Sequence, residues 1–250
     1  MKKIHKILML LLTVYLVSCS PAWKITQLSS VKIPIDSSTE YLADKSYTAY
    51  LQPFKEEVDS KMNKVIGTSV QTMRGHAPES LLSNFSSDVY LLAATDAIGE
   101  PVDISIVNMG SLRTQIPAGD ILVRHIFELM PFENELVVLW VKGDKLYQLF
   151  QFFAKVGGEG VGGMSMEIKN GKAENIQIGN KPLDMNRLYS VATNDFLAGG
   201  NDKMYQLAEY EKRINTGIKI RTLLLDYITK QTAQGKPIQS KLDGRIKIIQ

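Results

Sequence analysis

Six consecutive apolar residues, Leu136-Val137-Val138-Leu139-Trp140-Val141, constrain the fold more than any other stretch of this chain. The run lacks the polar–apolar alternation of a strand with one wet face, so it reads as a strand buried inside a sheet. Gly143-Asp144 break the run and cap a helix, with Leu146, Leu149, Phe150 and Phe153 along one face. A buried strand running straight into an amphipathic helix is the nucleus around which the remaining elements are placed.

Pro78-Glu79 open a helix on which Leu81, Phe85, Val89 and Leu92 recur at helical spacing, and Gly99 closes it. Residues 102–107, 188–192 and 244–249 read as strands, and residues 222–230 as a late helix. Residues 164–168 and 174–178 flank Asn170-Gly171 and, with that longer connection, predict a hairpin. Five glycines in residues 157–163 predict a flexible or tightly turning connection. Near the start, Val31-Lys32-Ile33-Pro34-Ile35 reads as an entering strand behind a polar tether. Strands and helices interleave without a regular βαβ count, which predicts an α+β fold with mixed sheets and packed helices.

Lys2, Lys3 and Lys6 precede an apolar stretch over residues 7–17, and Ser18-Cys19-Ser20 follows. A basic start, a short apolar core and a small-residue exit describe a secretory signal. Leu16-Val17-Ser18-Cys19 resembles a bacterial lipobox, which would make Cys19 the lipidated first residue of the mature chain. Cleavage of an ordinary signal near Ser20 is the alternative. The expected organisation is a lipoprotein signal at 1–18, a tether at 19–45 and one domain at 46–250. Removing residues 1–18 leaves 26 basic against 26 acidic residues, so charge argues neither for nor against nucleic-acid partners. The chain's sole cysteine cannot form an internal disulfide.

The catalytic inventory is thin. Of three histidines, His5 belongs to the signal, and His76 and His125 sit in no metal-ligand spacing. Two histidines make a two-metal phosphatase centre hard to build. No Gly-x-Ser-x-Gly elbow and no Gly-x-x-x-x-Gly-Lys-Ser/Thr loop is present.

Three short segments stand apart from the amphipathic pattern: Asn108-Met109-Gly110-Ser111-Leu112-Arg113, Pro131-Phe132-Glu133-Asn134, and residues 193–202 with Phe196, Ala198-Gly199-Gly200 and Asp202. Each sets polar or charged side chains beside glycine or a lone aromatic, as loops that bind small molecules do. From the residues alone, Phe132 and Phe196 also fit a core, Asn108 a turn cap, Asp202 a solvated carboxylate or helix cap, and Arg113 a surface ion pair.

Taken with Ile116-Pro117-Ala118-Gly119-Asp120-Ile121, residues 179–184 and 189–194, and Leu242-Asp243-Gly244-Arg245-Ile246, the three segments resemble the C-terminal domain of the 5′-nucleotidase family over about residues 75–250. That resemblance implies a nucleoside or nucleoside monophosphate as ligand, and no nucleic acid. Phe132 and Phe196 would sandwich the base, Asn108 and Asn134 would hydrogen-bond near it, Asp202 would accept from ribose hydroxyls, and Arg113 would contact the ribose or phosphate side. In the family, an N-terminal metallophosphatase domain carries two metals and performs the hydrolysis.

Departures accompany the match. Met109 and Ser111 stand where the family's first loop is richer in glycine, which predicts a crowded pocket floor or an altered backbone path. Asn201 interrupts Gly-Gly-Asp, and His76, with Arg74 nearby, replaces an expected arginine. No segment upstream of residue 75 is long enough, or rich enough in Asp, His and Asn motifs, for the metallophosphatase domain. The expectation is therefore the recognition half of a split 5′-nucleotidase: no catalytic or metal residue in this chain, divalent metals only in a separate metallophosphatase subunit, and a membrane anchor at Cys19. The alternative is a non-enzymatic nucleoside-binding surface lipoprotein.

Overall fold

The computed structural model describes residues 4, 5, 25 and 27–249, so Cys19 and nearly all of the 1–18 segment lie outside the described residues. The chain divides into two compact units, Met1–Gln52 and Pro53–Gln250. The first contributes a 3₁₀ turn, Ser37–Leu42, and the opening of helix α1 (Lys45–Met62). The Ser38 N–H donates to the Asp36 side chain (2.8 Å) and caps the turn. The strand expected at residues 31–35 does not form, and these residues are exposed. Pro34 removes a ladder donor, and an isolated short strand has little to hold it.

The second unit runs in order through β1 (Val65–Ser69), α2 (Leu81–Ile98), β2 (Ile104–Val107), β3 (Gly119–Leu122), α3 (Val123–Leu129), β4 (Glu135–Lys142) and α4 (Gly143–Val156). It continues through β5 (Gly160–Gly162), β6 (Met164–Lys169), β7 (Lys172–Ile178), β8 (Lys181–Pro182), β9 (Leu188–Asn194) and the single turn α5 (Asp195–Ala198). β10 (Lys212–Lys219), α6 (Ile220–Ala233) and β11 (Ile246–Ile249) complete it. The central sheet has the order β10-β4-β9-β2-β5. β2 and β9 are parallel, and the other neighbours in that sheet are antiparallel. A four-stranded sheet, β11-β6-β7-β8, and the pair β1-β3 complete the mixed architecture of the expected α+β class.

β4 is buried on both faces, as its unbroken apolar run requires. Val137, Leu139 and Val141 join one core with Leu146, Leu149, Phe150 and Phe153 of α4 and the inner residues of β6, β7 and β11. Leu136 and Val138 join a second core beneath α2, α3 and α6. The alternation of period two therefore survives as a choice between two dry layers. Each fully buried side chain of this size contributes roughly 1.5–3 kcal/mol.

Several boundaries differ from the sequence expectation. Helix α2 is capped by Ser80, whose Oγ accepts from the Ser83 N–H (3.1 Å), while Gly99 closes it in the left-handed conformation as expected. Leu92 is 49% exposed, and the buried face instead carries Ser83, Ser86 and Ser87 among Leu82, Phe85, Val89 and Tyr90. Those serines let the helix lie close on β5: Ser87 Oγ donates to the Val161 carbonyl oxygen (2.9 Å), and Ser105 Oγ to that of Ser87 (2.6 Å). The glycine-rich run is correspondingly a packed edge strand and not a loose loop. A Cβ on Gly162 would stand 2.5 Å from Ser105 Oγ, and one on Gly160 2.8 Å from the Val107 carbonyl oxygen.

The expected hairpin forms with Asn170 and Gly171 alone as its turn, both at positive φ (51° and 72°), as a two-residue type I′ connection requires. Arg245 immediately precedes β11. Its side chain is 11% exposed and donates to Asp88, Asp243 and the Val161 carbonyl oxygen, which ties the final strand to α2 and β5.

Helix α4 starts at Gly143 itself, without a side-chain cap. The N–H groups of Gly143 and Asp144 donate to the carbonyls of Arg187 (2.9 Å) and Met185 (3.0 Å). The 184–187 segment lies so close that a Cβ on Gly143 would fall 1.9 Å from the Asp184 carbonyl oxygen. Helix propensity alone favours Gly143→Ala by about 1 kcal/mol. Backbone overlap outweighs it, and urea denaturation is expected to show a net loss of about 1–3 kcal/mol. Unchanged or increased stability would contradict this packing.

Candidate functional site

Strand direction brings the three sequence-distant loops together. β2 and β9 are parallel, so residues 108–113 and 195–202 leave the central sheet at the same end. β4 lies antiparallel to β9 with Leu136 opposite Asn194, so the segment entering β4, residues 131–134, meets them there. Asn194 caps α5 by accepting from the Leu197 N–H (2.8 Å), and Asp195 Oδ1 accepts from the Glu135 N–H (3.1 Å). The Ile220 N–H donates to the Asn134 carbonyl oxygen (2.9 Å), and Lys219 Nζ to that of Glu133 (3.0 Å). Arg221 pairs with Glu133 and rests over Phe127, 4.3 Å from the ring centre. The loop carrying Phe132 is thus held from β9 on one side and from the β10–α6 junction on the other.

Between the loops lies a cavity of about 270 Å³, lined by Asn108, Gly110, Ser111, Arg113, Phe132, Asn134, Phe196 and Asp202. All six binding residues expected from the sequence line it. The size is close to the lower end of the roughly 300–1,000 Å³ of small-molecule pockets. Phe132 is half-buried, and Phe196 is 42% exposed at the mouth. Neither ring belongs to either hydrophobic core. The Arg113 guanidinium sits 5.1 Å from the Phe132 ring centre, a cation–π contact the sequence did not signal.

Asn108 is 5% exposed. Its Nδ2 donates to Asp202 across 94 residues of chain, while its Oδ1 is buried with no hydrogen-bond partner among the described residues. Asp202 itself adopts a left-handed conformation (φ 53°), which Asp tolerates better than most residues. Asn201, the residue that interrupts Gly-Gly-Asp, donates from Nδ2 to the Phe196 carbonyl oxygen (2.8 Å) and braces that loop.

The crowding expected from Met109 and Ser111 is relieved. Ser111 Oγ turns back to donate to the Asn108 carbonyl oxygen (2.8 Å), and the Met109 side chain packs against the core beneath α2. The Met109 N–H donates to Glu159 Oε2 (2.6 Å). Burial above all, with the charge of Asp202 adding to it, pushes the Glu159 carboxyl up to about 7 against the opposing pull of that bond. Sequence reading passed over Glu159, which sits inside the glycine run. The usable signal was a lone charge among five glycines.

Other candidates lie elsewhere. His125 Nδ1 accepts from the Leu122 N–H (3.1 Å) at the start of α3. Arg74 donates to Gln115, and His76 is exposed beside the Ala77 carbonyl; neither lines the cavity. Larger hollows of about 510 and 480 Å³ flank Arg245, but its guanidinium is committed to Asp88 and Asp243. Among the described residues no three His, Cys, Asp or Glu side chains gather as a metal site. Nor is any described helix long and apolar enough to cross a membrane.

Fold and cavity together define an α+β domain with a cavity that has aromatic walls and polar lining residues. The 5′-nucleotidase C-terminal domain matches residues 62–209, and the chain belongs to that family. A 5′-nucleotidase from Vibrio parahaemolyticus is 27% identical over 194 residues, 76% of this chain and 34% of that protein. Protein UshA from Yersinia enterocolitica is 26% identical over 202 residues, 77% of this chain and 36% of its own length. The crystal structure of a 5′-nucleotidase precursor from Thermus thermophilus superposes with a TM-score of 0.70 at 27% identity, over 84% of this chain and 43% of that one. The chain therefore spans about a third of the length of these curated relatives.

Proposed function

We propose that the cavity binds a nucleoside or nucleoside monophosphate, as the recognition half of a nucleotide-dephosphorylating system. The observation that carries this reading is the convergence of Phe132, Phe196, Asn108, Asn134, Arg113 and Asp202 on one cavity from three separate loops. Aromatic walls suit a purine or pyrimidine face, and base–aromatic stacking contributes about 1–3 kcal/mol per base. Asp202 is an acceptor suited to adjacent hydroxyl groups, and Arg113 offers a planar fork to an anion. Asn108 Oδ1, buried and unpaired, takes a donor from the ligand. Hydrolysis is assigned to a separate metallophosphatase subunit that carries the divalent metals. Residues 1–18 serve as an export signal and Cys19 as a lipid anchor. Radiolabelled palmitate should enter the wild-type protein and not Cys19→Ser, and label retained in that variant would refute the anchor.

Calorimetry with adenosine should show saturable binding. Phe132→Ala and Phe196→Ala are each expected to weaken it by about 1–3 kcal/mol. Heats absent across a nucleoside panel would overturn the reading. Purified protein should release no phosphate from AMP with divalent metal until a metallophosphatase subunit is added. Robust release by the isolated chain would refute the split arrangement. Binding without any gain on adding the phosphatase would favour the surface nucleoside-binding lipoprotein instead.

A further inference from the structure

The charges around the cavity fall short of what a phosphate needs. The lining holds one cation, Arg113, and one anion, Asp202. The three loops that form it carry Arg113 against Glu133, Asp195 and Asp202. Cations beside these loops are already engaged. Lys219 donates to Glu135 Oε1 (2.9 Å) and to the Glu133 carbonyl oxygen (3.0 Å), and Arg221 pairs with Glu133. Arg74 donates to Gln115, His76 is exposed beside the Ala77 carbonyl, and Lys203 is exposed next to Asp202 in sequence; none of the three lines the cavity.

Arg113 is itself exposed, and its guanidinium rests 5.1 Å from the Phe132 ring centre. Its backbone N–H donates to the Leu129 carbonyl oxygen (3.1 Å), which keeps it beside the loop that carries Phe132. An ion pair at an exposed guanidinium is screened by water and salt, and its gain is about fivefold in affinity at most. A 5′-phosphate is close to a dianion at neutral pH. It would meet that one guanidinium and, in the same lining, the like charge of Asp202, so a small attraction faces an opposing repulsion. A neutral nucleoside meets no such opposition and matches a lining whose two charges cancel.

We propose that this cavity selects the uncharged nucleoside moiety, and that a 5′-phosphate, when present, stays outside its contacts and adds no decisive affinity. This rests on the nucleoside reading above and narrows it. Arg113 then serves the Phe132 wall, and its fork stays off the phosphate. The phosphoryl group is left in solvent, within reach of a separate catalyst. Its removal yields a nucleoside that the cavity holds as firmly as the nucleotide.

Calorimetry with adenosine and with AMP, in low and in physiological salt, tests this. AMP should bind more weakly than adenosine or at most about fivefold tighter, and the ratio should change little with salt. Excess inorganic phosphate should not displace adenosine. Arg113→Gln should alter both affinities by the same factor, and Lys203→Ala should leave their ratio unchanged. A larger advantage for AMP that is lost in Arg113→Gln or Lys203→Ala, or displacement of adenosine by inorganic phosphate, would overturn the proposal while leaving nucleotide binding intact. Failure of both adenosine and AMP to bind would instead refute the nucleoside reading, and this proposal with it.

Discussion

The parallel pairing of Ile104–Val107 with Leu188–Asn194, flanked by the antiparallel Glu135–Lys142, is the constraint on which the site depends. Two strands ending where a third begins place three loops at one end of a sheet. A one-residue slip between β4 and β9 would exchange the two faces of β4, driving Val137, Leu139 and Val141 out of one core and Leu136 and Val138 out of the other. Register is thus enforced by burial on both sides. The loops inherit their positions from that register, and main-chain bonds such as Ile220 N–H to Asn134 oxygen secure them. Little of the cavity's geometry is left to the loops themselves.

The same arrangement explains why the polar floor is costly to build. Asn108 and Asp202 reach each other across the sheet end, and Glu159 arrives from the neighbouring edge strand because β5 pairs with β2. Asp202 accepts from Asn108 Nδ2 and Glu159 from the Met109 N–H, while Asn108 Oδ1 stays buried with no partner among the described residues, against the rule that interiors satisfy their polar groups. The glycines around Glu159 let β5 approach α2 and β2 closely enough to carry a carboxyl beneath the first loop.

Much of this was legible in the sequence where a single local pattern dominated. The unbroken run over 136–141 announced a buried strand, Asn170-Gly171 announced a hairpin whose turn proves shorter than expected, and the three loop segments stood apart as the ones that line the cavity. Features that depend on distant partners were not. β10 carries Lys212, Arg213 and Lys219 with Gly217 between them, because it is an edge strand with one wet side, and no clean alternation marks it. The serine-bearing face of α2 defeated an apolar-stripe reading, which placed Leu92 inside. Glu159 stands out locally only as a lone charge among glycines, and its hydrogen-bond partner Met109 lies fifty positions away.

Where a nucleoside sits decides whether these loops form a binding site. A crystal of the protein soaked with adenosine measures this directly. The expected electron density places the base between Phe132 and Phe196, with the ribose hydroxyls against Asp202. Density beside Arg245, or an empty cavity with Arg113 still over Phe132 at saturating ligand, would contradict it.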